Sequence, residues 1–196
     1  MKKMIFAAVV MMATTSAFAQ HAVGSLTVQP KVGLNIANMT DSDGADPRIG
    51  LVAGAELEYQ VSDWFSLAGG AVYSMQGAKD SDSGYSGTLK LDYINIPIVA
   101  NFYVAKGLAL KFGLQPGFNV SSKLSASGGG VSASTSLSNL GIDIKSFDLS
   151  IPVGASYEFN NIVIDARYNV GSTKLVDGDD SRNSVFQFTV GYKFGL

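Results

Sequence analysis

Alternation of apolar and polar residues with period two, sustained over segments of roughly 10 to 13 residues, constrains this chain more than any other feature. Leu26, Val28, Pro30, Val32, Leu34 and Ile36 share one face of the first segment, with Lys31 and Asn35 on the other. Ile49, Leu51, Ala53, Ala55, Leu57 and Tyr59 then oppose Arg48, Glu56 and Glu58. The pattern returns in Leu108–Phe118 against Lys111, Gln115 and Asn119, and in Phe147–Tyr157 against Asp148, Ser150 and Glu158. Ile162–Tyr168 oppose Asp165 and Arg167, and Phe186–Phe194 oppose Gln187, Thr189 and Lys193. Two further strands, from about Trp64 to Gln76 and from Thr88 to Val104, bring the number to eight.

Period two alone also suits a soluble sheet with one buried face, so segment length decides. A tilted strand needs about 9 to 11 residues to cross a bilayer, whereas soluble strands average about 5 or 6. Aromatic residues collect at the segment ends. Tyr59, Trp64, Phe65, Phe102, Tyr103, Tyr157, Phe159, Tyr192 and Phe194 lie beside the short turns or the C-terminus. Tyr73, Tyr93, Phe118, Phe147, Tyr168 and Phe186 lie toward the opposite ends. Two belts of amphipathic rings match the two headgroup levels of a membrane. Connections alternate accordingly, short at 61–63, 105–107 and 160–161, and long and polar at 39–47, 77–87, 121–145 and 176–183. The predicted fold is all-β, an eight-stranded antiparallel up-and-down transmembrane β-barrel. Within 88–104 the apolar parity changes near Tyr93, which predicts a bulge or a barrel corner there.

The N-terminus reads as a secretory signal over residues 1–19. Lys2 and Lys3 give a positive start, Met4 to Ala13 an apolar stretch too short to span, and Ala17-Phe18-Ala19 a small-x-small cleavage site. Residues 20–196 are then the barrel domain of an exported protein. The whole chain carries a net charge of -2, and removing the two leader lysines makes it more acidic. With no Lys/Arg cluster after Lys3, a nucleic-acid partner is not expected. The absence of cysteine rules out disulfides, thiolate metal sites and a lipid-attachment cysteine.

On the inward face the pattern places Lys31, Arg48, Lys111, Arg167 and Lys193 with Glu56, Glu58, Asp148, Glu158 and Asp165. An eight-stranded interior is about wide enough for side chains, so these ten are expected to pair as a structural plug of the lumen rather than line an open pore. Inward glycines, among them Gly54, Gly70, Gly154 and Gly191, give the larger charged residues room. Catalysis finds no apparatus. The one histidine, His21, falls outside every predicted strand, and Glu56 with Glu58 reads better as ion-paired than as an acid/base pair. No cofactor is expected. The acid clusters at 41–44, 80–84 and 177–180 do not complete a calcium loop and read as turn-formers, so no metal site is assigned. The Ser/Gly-rich stretch 121–139 reads as an external loop in which Val131, Ala133, Thr135 and Leu137 can extend a hairpin. It is the place to look for a partner.

Three stretches together resemble a known family: Tyr93-Ile94-Asn95-Ile96-Pro97-Ile98, then Lys106-Gly107 with Gly113-Leu114-Gln115-Pro116-Gly117, and Val190-Gly191-Tyr192-Lys193-Phe194. They are similar to the porin-family, PorT-like outer-membrane β-barrel domain common in Bacteroidetes, over essentially the whole mature chain. The resemblance implies outer-membrane residence, contact with outer-membrane lipids and insertion by the barrel-assembly machinery, which reads a terminal strand ending in an aromatic residue. Here the chain runs past Phe194 to Gly195 and Leu196. The expected function is that of a monomeric, non-enzymatic barrel with structural or surface-interaction roles exerted through its outer loops. The alternatives are a narrow channel for small solutes and a soluble, lipocalin-like binding barrel.

Overall fold

The computed structural model describes residues 21–40, 46–82, 85–128, 131–142, 144–174 and 181–196. The leader assigned to residues 1–19 and the acid clusters at 41–44 and 177–180 lie outside them, and so do Ser83, Gly84 and the side chains of 80–82. The elements are β1 (Leu26–Met39), β2 (Asp46–Ser62), β3 (Phe65–Asp82), β4 (Tyr85–Asn95), β5 (Ile98–Ala105), β6 (Leu108–Gly128), β7 (Val131–Ser136), a 3-10 turn (Leu137–Leu140), β8 (Phe147–Phe159), β9 (Ile162–Gly171), β10 (Asn183–Tyr192) and β11 (Phe194–Gly195).

Every pairing is antiparallel, and β10 pairs back onto β1 to close the ring. β4 and β5 run end to end as one stave between β3 and β6, interrupted at Ile96-Pro97, so the closed wall has eight staves. The interruption has a plain cause. Proline has no N–H to donate to a ladder, although its carbonyl still accepts from Gly70 N at 3.2 Å.

The turns at one end are tight. Asn160 and Asn161 both have positive φ (49° and 71°), the conformation of the two-residue hairpin whose twist matches its strands. At the other end the strands overshoot the bilayer. β3 has 18 residues and β6 has 21, well beyond the about 9 to 11 that span a membrane. The surplus of β3, β4 and β6, with β7 added on β6, forms a sheet standing above the barrel.

The distribution of polarity is that of a membrane barrel turned inside out relative to a soluble one. Val32, Leu34, Leu51, Phe112, Ile164, Phe188 and Val190 are exposed on the outside, while Lys31, Glu56, Asp165 and Arg167 are buried within. That inversion overturns the lipocalin-like alternative, which requires an apolar interior. Aromatic pairs mark both rims, with Trp64 stacked on Phe102 at 6.1 Å at one and Tyr168 stacked on Phe186 at 4.4 Å at the other. Val190 lies between Phe186 and Tyr192 on β10, near mid-bilayer. Val190→Arg is expected to destabilise the barrel by about 2–4 kcal/mol, read from urea unfolding in lipid vesicles.

Two sequence expectations change. Tyr93 and Tyr103 do not join the belts, since both side chains are buried inside. Nor does the parity of this stave switch at Tyr93. Leu91, Tyr93, Asn95, Val99, Asn101 and Tyr103 all point inward. The ladder irregularity does occur there, between Asp92 and Tyr93, but the extra residue, Val120, belongs to the partner strand β6. Apolar residues inside the outer half of the stave imitate a parity change in the sequence.

Candidate functional site

Among the described residues, the lumen is where the fold gathers ionisable side chains out of water, and the alternation of each strand delivers them. Large side chains face in where the neighbouring strand presents glycine. Lys31 is in register with Gly54 on one side and Gly191 on the other. Gly154 faces both Lys111 and Arg167, and Gly70 faces Glu56. The need for glycine is steric. A Cβ on Gly54, Gly70 or Gly154 would sit 2.1–2.2 Å from a carbonyl oxygen of the next strand.

In the central tier the Arg167 guanidinium donates to both oxygens of Glu56, at 2.8 and 2.9 Å, and to both oxygens of Asp165, at 2.8 and 2.9 Å. Lys31 donates to Glu56, and Lys111 Nζ lies 2.7 Å from Asp165 Oδ2. Three cations thus share two carboxylates, and all five side chains are buried. Isolated ions there would cost several kcal/mol each, which bidentate geometry and mutual hydrogen bonding offset.

A second tier sits toward the tight turns. Lys193 Nζ lies 2.9 Å from both Glu58 Oε2 and Glu158 Oε2 and donates to the Tyr103 hydroxyl at 3.2 Å. Tyr103 and Ser66 donate to Glu58. His21 Nε2 lies 2.9 Å from Glu158 Oε1, so the segment before β1 folds onto this mouth. Gly24 N donates to Gln60 O at 2.8 Å, and Gln60 N donates to Ser25 O at 3.0 Å, which hold the segment there. Sequence reasoning missed this role because nothing local to His21 points to a residue 137 positions away.

The remaining two charges lie nearer the outer end. Arg48 donates to the Gln76 carbonyl and sits 3.9 Å from Asp92, which also accepts from Tyr73 Oη at 2.9 Å on the outside. Arg48 therefore stands apart from the central cluster. Asp148 accepts from Thr173 Oγ1 and from Asn183 Nδ2 at 3.0 Å. Above them the lumen turns apolar. Leu91, Tyr93 and Leu137 form a buried cluster, with Met39, Leu89 and Ile144 packed against it. Leu137 opens the 3-10 turn after β7, so the chain returning from the outer hairpin drops an apolar side chain into the barrel mouth.

Among the described residues, the arrangement binds charge to charge. Its parts are a polar plug in two tiers, a segment across one mouth and an apolar stopper in the other.

Comparison with known proteins agrees with this architecture. The fold is shared with the attachment invasion locus protein Ail of Yersinia pestis, at 19% identity over 88% of this chain and 100% of that one, with a TM-score of 0.50. It is shared also with Neisserial surface protein A, at 19% identity over 86% of this chain and 97% of that one, with a TM-score of 0.53. No curated protein matches the sequence. The family described as outer membrane protein beta-barrel domain matches residues 18–177. The chain belongs to that family and is a small β-barrel of the bacterial outer membrane.

Proposed function

We propose that this barrel does not conduct and is not an enzyme, and that it acts as a monomeric membrane anchor presenting its outer sheet and loops for surface interaction. The observation that carries the reading is the closure of the lumen at three levels: the Lys193 tier, the Arg167 tier and the Leu91–Tyr93–Leu137 stopper. A path for solutes would have to break buried ion pairs and displace packed apolar side chains. The 21-residue β6 and the hairpin it forms with β7 put the longest surplus of structure on the outer side. Ail, of the same fold, is by name an attachment protein; at this identity the likeness speaks for architecture. The PorT-like resemblance of residues 93–98, 106–117 and 190–194 belongs to the same proposal, as do a signal cleaved after Ala19 and insertion by the barrel-assembly machinery.

A narrow channel is the second reading, and one observation favours it. Gln29 Nε2, Asn101 Oδ1, Asn169 Oδ1 and Thr189 Oγ1 are buried without a hydrogen-bond partner among the described residues, and such groups ordinarily take ordered water. Single-channel recording of residues 20–196 refolded into a planar bilayer separates the two. Stable insertion without conductance steps is the expected result. Reproducible ion-selective steps would sink the closed-lumen reading and make the Arg167 cluster the selectivity element.

A further inference from the structure

The sheet above the membrane carries a charge arrangement that the lumen does not explain. Lys90 on β4 and Lys123 on β6 are directly opposite each other in register. Lys90 is half-buried and Lys123 exposed. Like charges across a strand pair repel and weaken it. The same row continues to Gly77 on β3 and Ser136 on β7, so no acid stands in it. Lys79 lies diagonally from Lys90, with Asp46 facing it from β2. Neither Lys90 nor Lys123 has an ion-pair or hydrogen-bond partner among the described residues.

A second observation adjoins the first. β6 pairs with β8 up to Phe118 and with β7 from Lys123 onward. Asn119 N still donates to Ser146 O at 2.8 Å, but residues 120–122 have no strand on that side, and the gap opens a cleft of roughly 540 Å³. Asn119, Ser121, Ser122, Ser136 and Ser138 line it, and Lys123 stands in both the cleft and the lysine pair. Asn119 and Ser122 are tied to each other and to the backbone, but the hydroxyls of Ser121, Ser136 and Ser138 beside them suit the hydroxyls of a sugar; two adjacent ammonium groups suit a phosphate.

Height selects the source of such a ligand. Ile94 and Phe118 pair in register at the level of the outer aromatic belt, where Phe118 meets Phe147. Lys90 and Lys123 lie four and five residues farther out, which at about 3.3 Å per residue and a tilt of about 45° is about 9–12 Å above the belt. That layer lies just outside the headgroup level of the belt, where only the large phosphorylated sugar head group of a glycolipid reaches from the membrane.

We propose that Lys90, Lys123 and the serine-lined cleft beside β6, where its pairing passes from β8 to β7, bind the phosphorylated sugar head group of a glycolipid in the surrounding outer leaflet. The site deepens the surface-interaction reading and rests on the outer sheet being the interacting side. It is independent of conduction, because neither lysine faces the lumen.

The test is native mass spectrometry of the detergent-solubilised barrel with lipid A, with enzymatically dephosphorylated lipid A, and with glucose 1-phosphate as a soluble competitor. The expected result is a bound lipid A that weakens about tenfold without its phosphates, and about tenfold in the Lys90→Gln/Lys123→Gln barrel, the scale of one charged hydrogen bond lost. Ser138→Ala, which leaves the charge intact, is expected to weaken lipid A and its dephosphorylated form alike. Retention of the heat-modifiable gel shift shows that each variant is folded, and Lys123→Gln alone serves if the double variant is not. Equal binding of the two lipids, or unchanged binding by a folded lysine variant, would overturn the site. Displacement of lipid A by equimolar glucose 1-phosphate would overturn the assignment to a membrane lipid. Absence of conductance, or its presence, bears on the lumen and leaves this outcome untouched.

Discussion

Replacing Glu56 with glutamine is expected to destabilise the barrel by about 3–5 kcal/mol, the cost of leaving buried charge without its partner. Glu56 takes both a bidentate contact from Arg167 and the Lys31 ammonium. The amide keeps the shape and removes the charge, so three buried cations are left with Asp165 alone. A second substitution supplies the sign. Glu56→Gln combined with Lys31→Met returns the cluster to an excess of one cation, as in the natural chain. It is expected to recover a large part of the loss, although Lys31→Met alone has only removed a stabilising partner from Glu56. Urea unfolding midpoints of the four proteins in lipid vesicles give the coupling energy. Additive losses would show that the pairing does not hold the centre of the lumen together.

The second large effect is steric. Gly154→Val is expected to prevent closure of the barrel, leaving the protein at the unfolded position on an unheated gel. A Cβ there would sit 2.2 Å from Ala166 O and 2.8 Å from Arg167 Cα, both backbone atoms of β9. No rotamer relieves a backbone clash, and the added methyls would point into the space that Arg167 and Lys111 occupy in register with Gly154. Overpacking by flexible neighbours costs about 1–3 kcal/mol; here the strand itself must move. Gly87→Val, where an added Cβ meets nothing within 4 Å, is the matched control and is expected to fold normally. Folding of both to the same extent would mean that the β8–β9 pair tolerates more separation than the ring geometry implies.

The two predictions draw on different levels of information. That Lys31, Glu56, Asp165 and Arg167 turn away from lipid is legible in single strands, because period two assigns each side chain to a face. Segment length and aromatic ends then separate a membrane barrel from a soluble sheet. The Asn160-Asn161 hairpin is legible for a similar reason, since its residue types suit its backbone. Which charge meets which is not legible. Arg167 and Glu56 are 111 positions apart, and their contact depends on the stagger of eight staves around the ring. Tyr93 and Tyr103 were misplaced for a related reason. An aromatic residue near a strand end suits a belt, and only the unbroken inward face of 91–103 shows that these two rings fill the lumen.

By itself, then, the sequence determined the fold class, the number of staves and the alternation that turns residues such as Lys31, Glu56, Asp165 and Arg167 inward, all consequences of local period and length. Tertiary structure alone decided the central cluster, the apolar stopper, the fold of His21 onto Glu158 and the opposition of Lys90 to Lys123. Each of these depends on register between strands distant in sequence. A shift of one residue, such as the bulge at Val120, sends every later side chain of a strand to the other face. No local pattern records that shift, because it is set by how the closed ring as a whole satisfies its backbone hydrogen bonds and packs its interior.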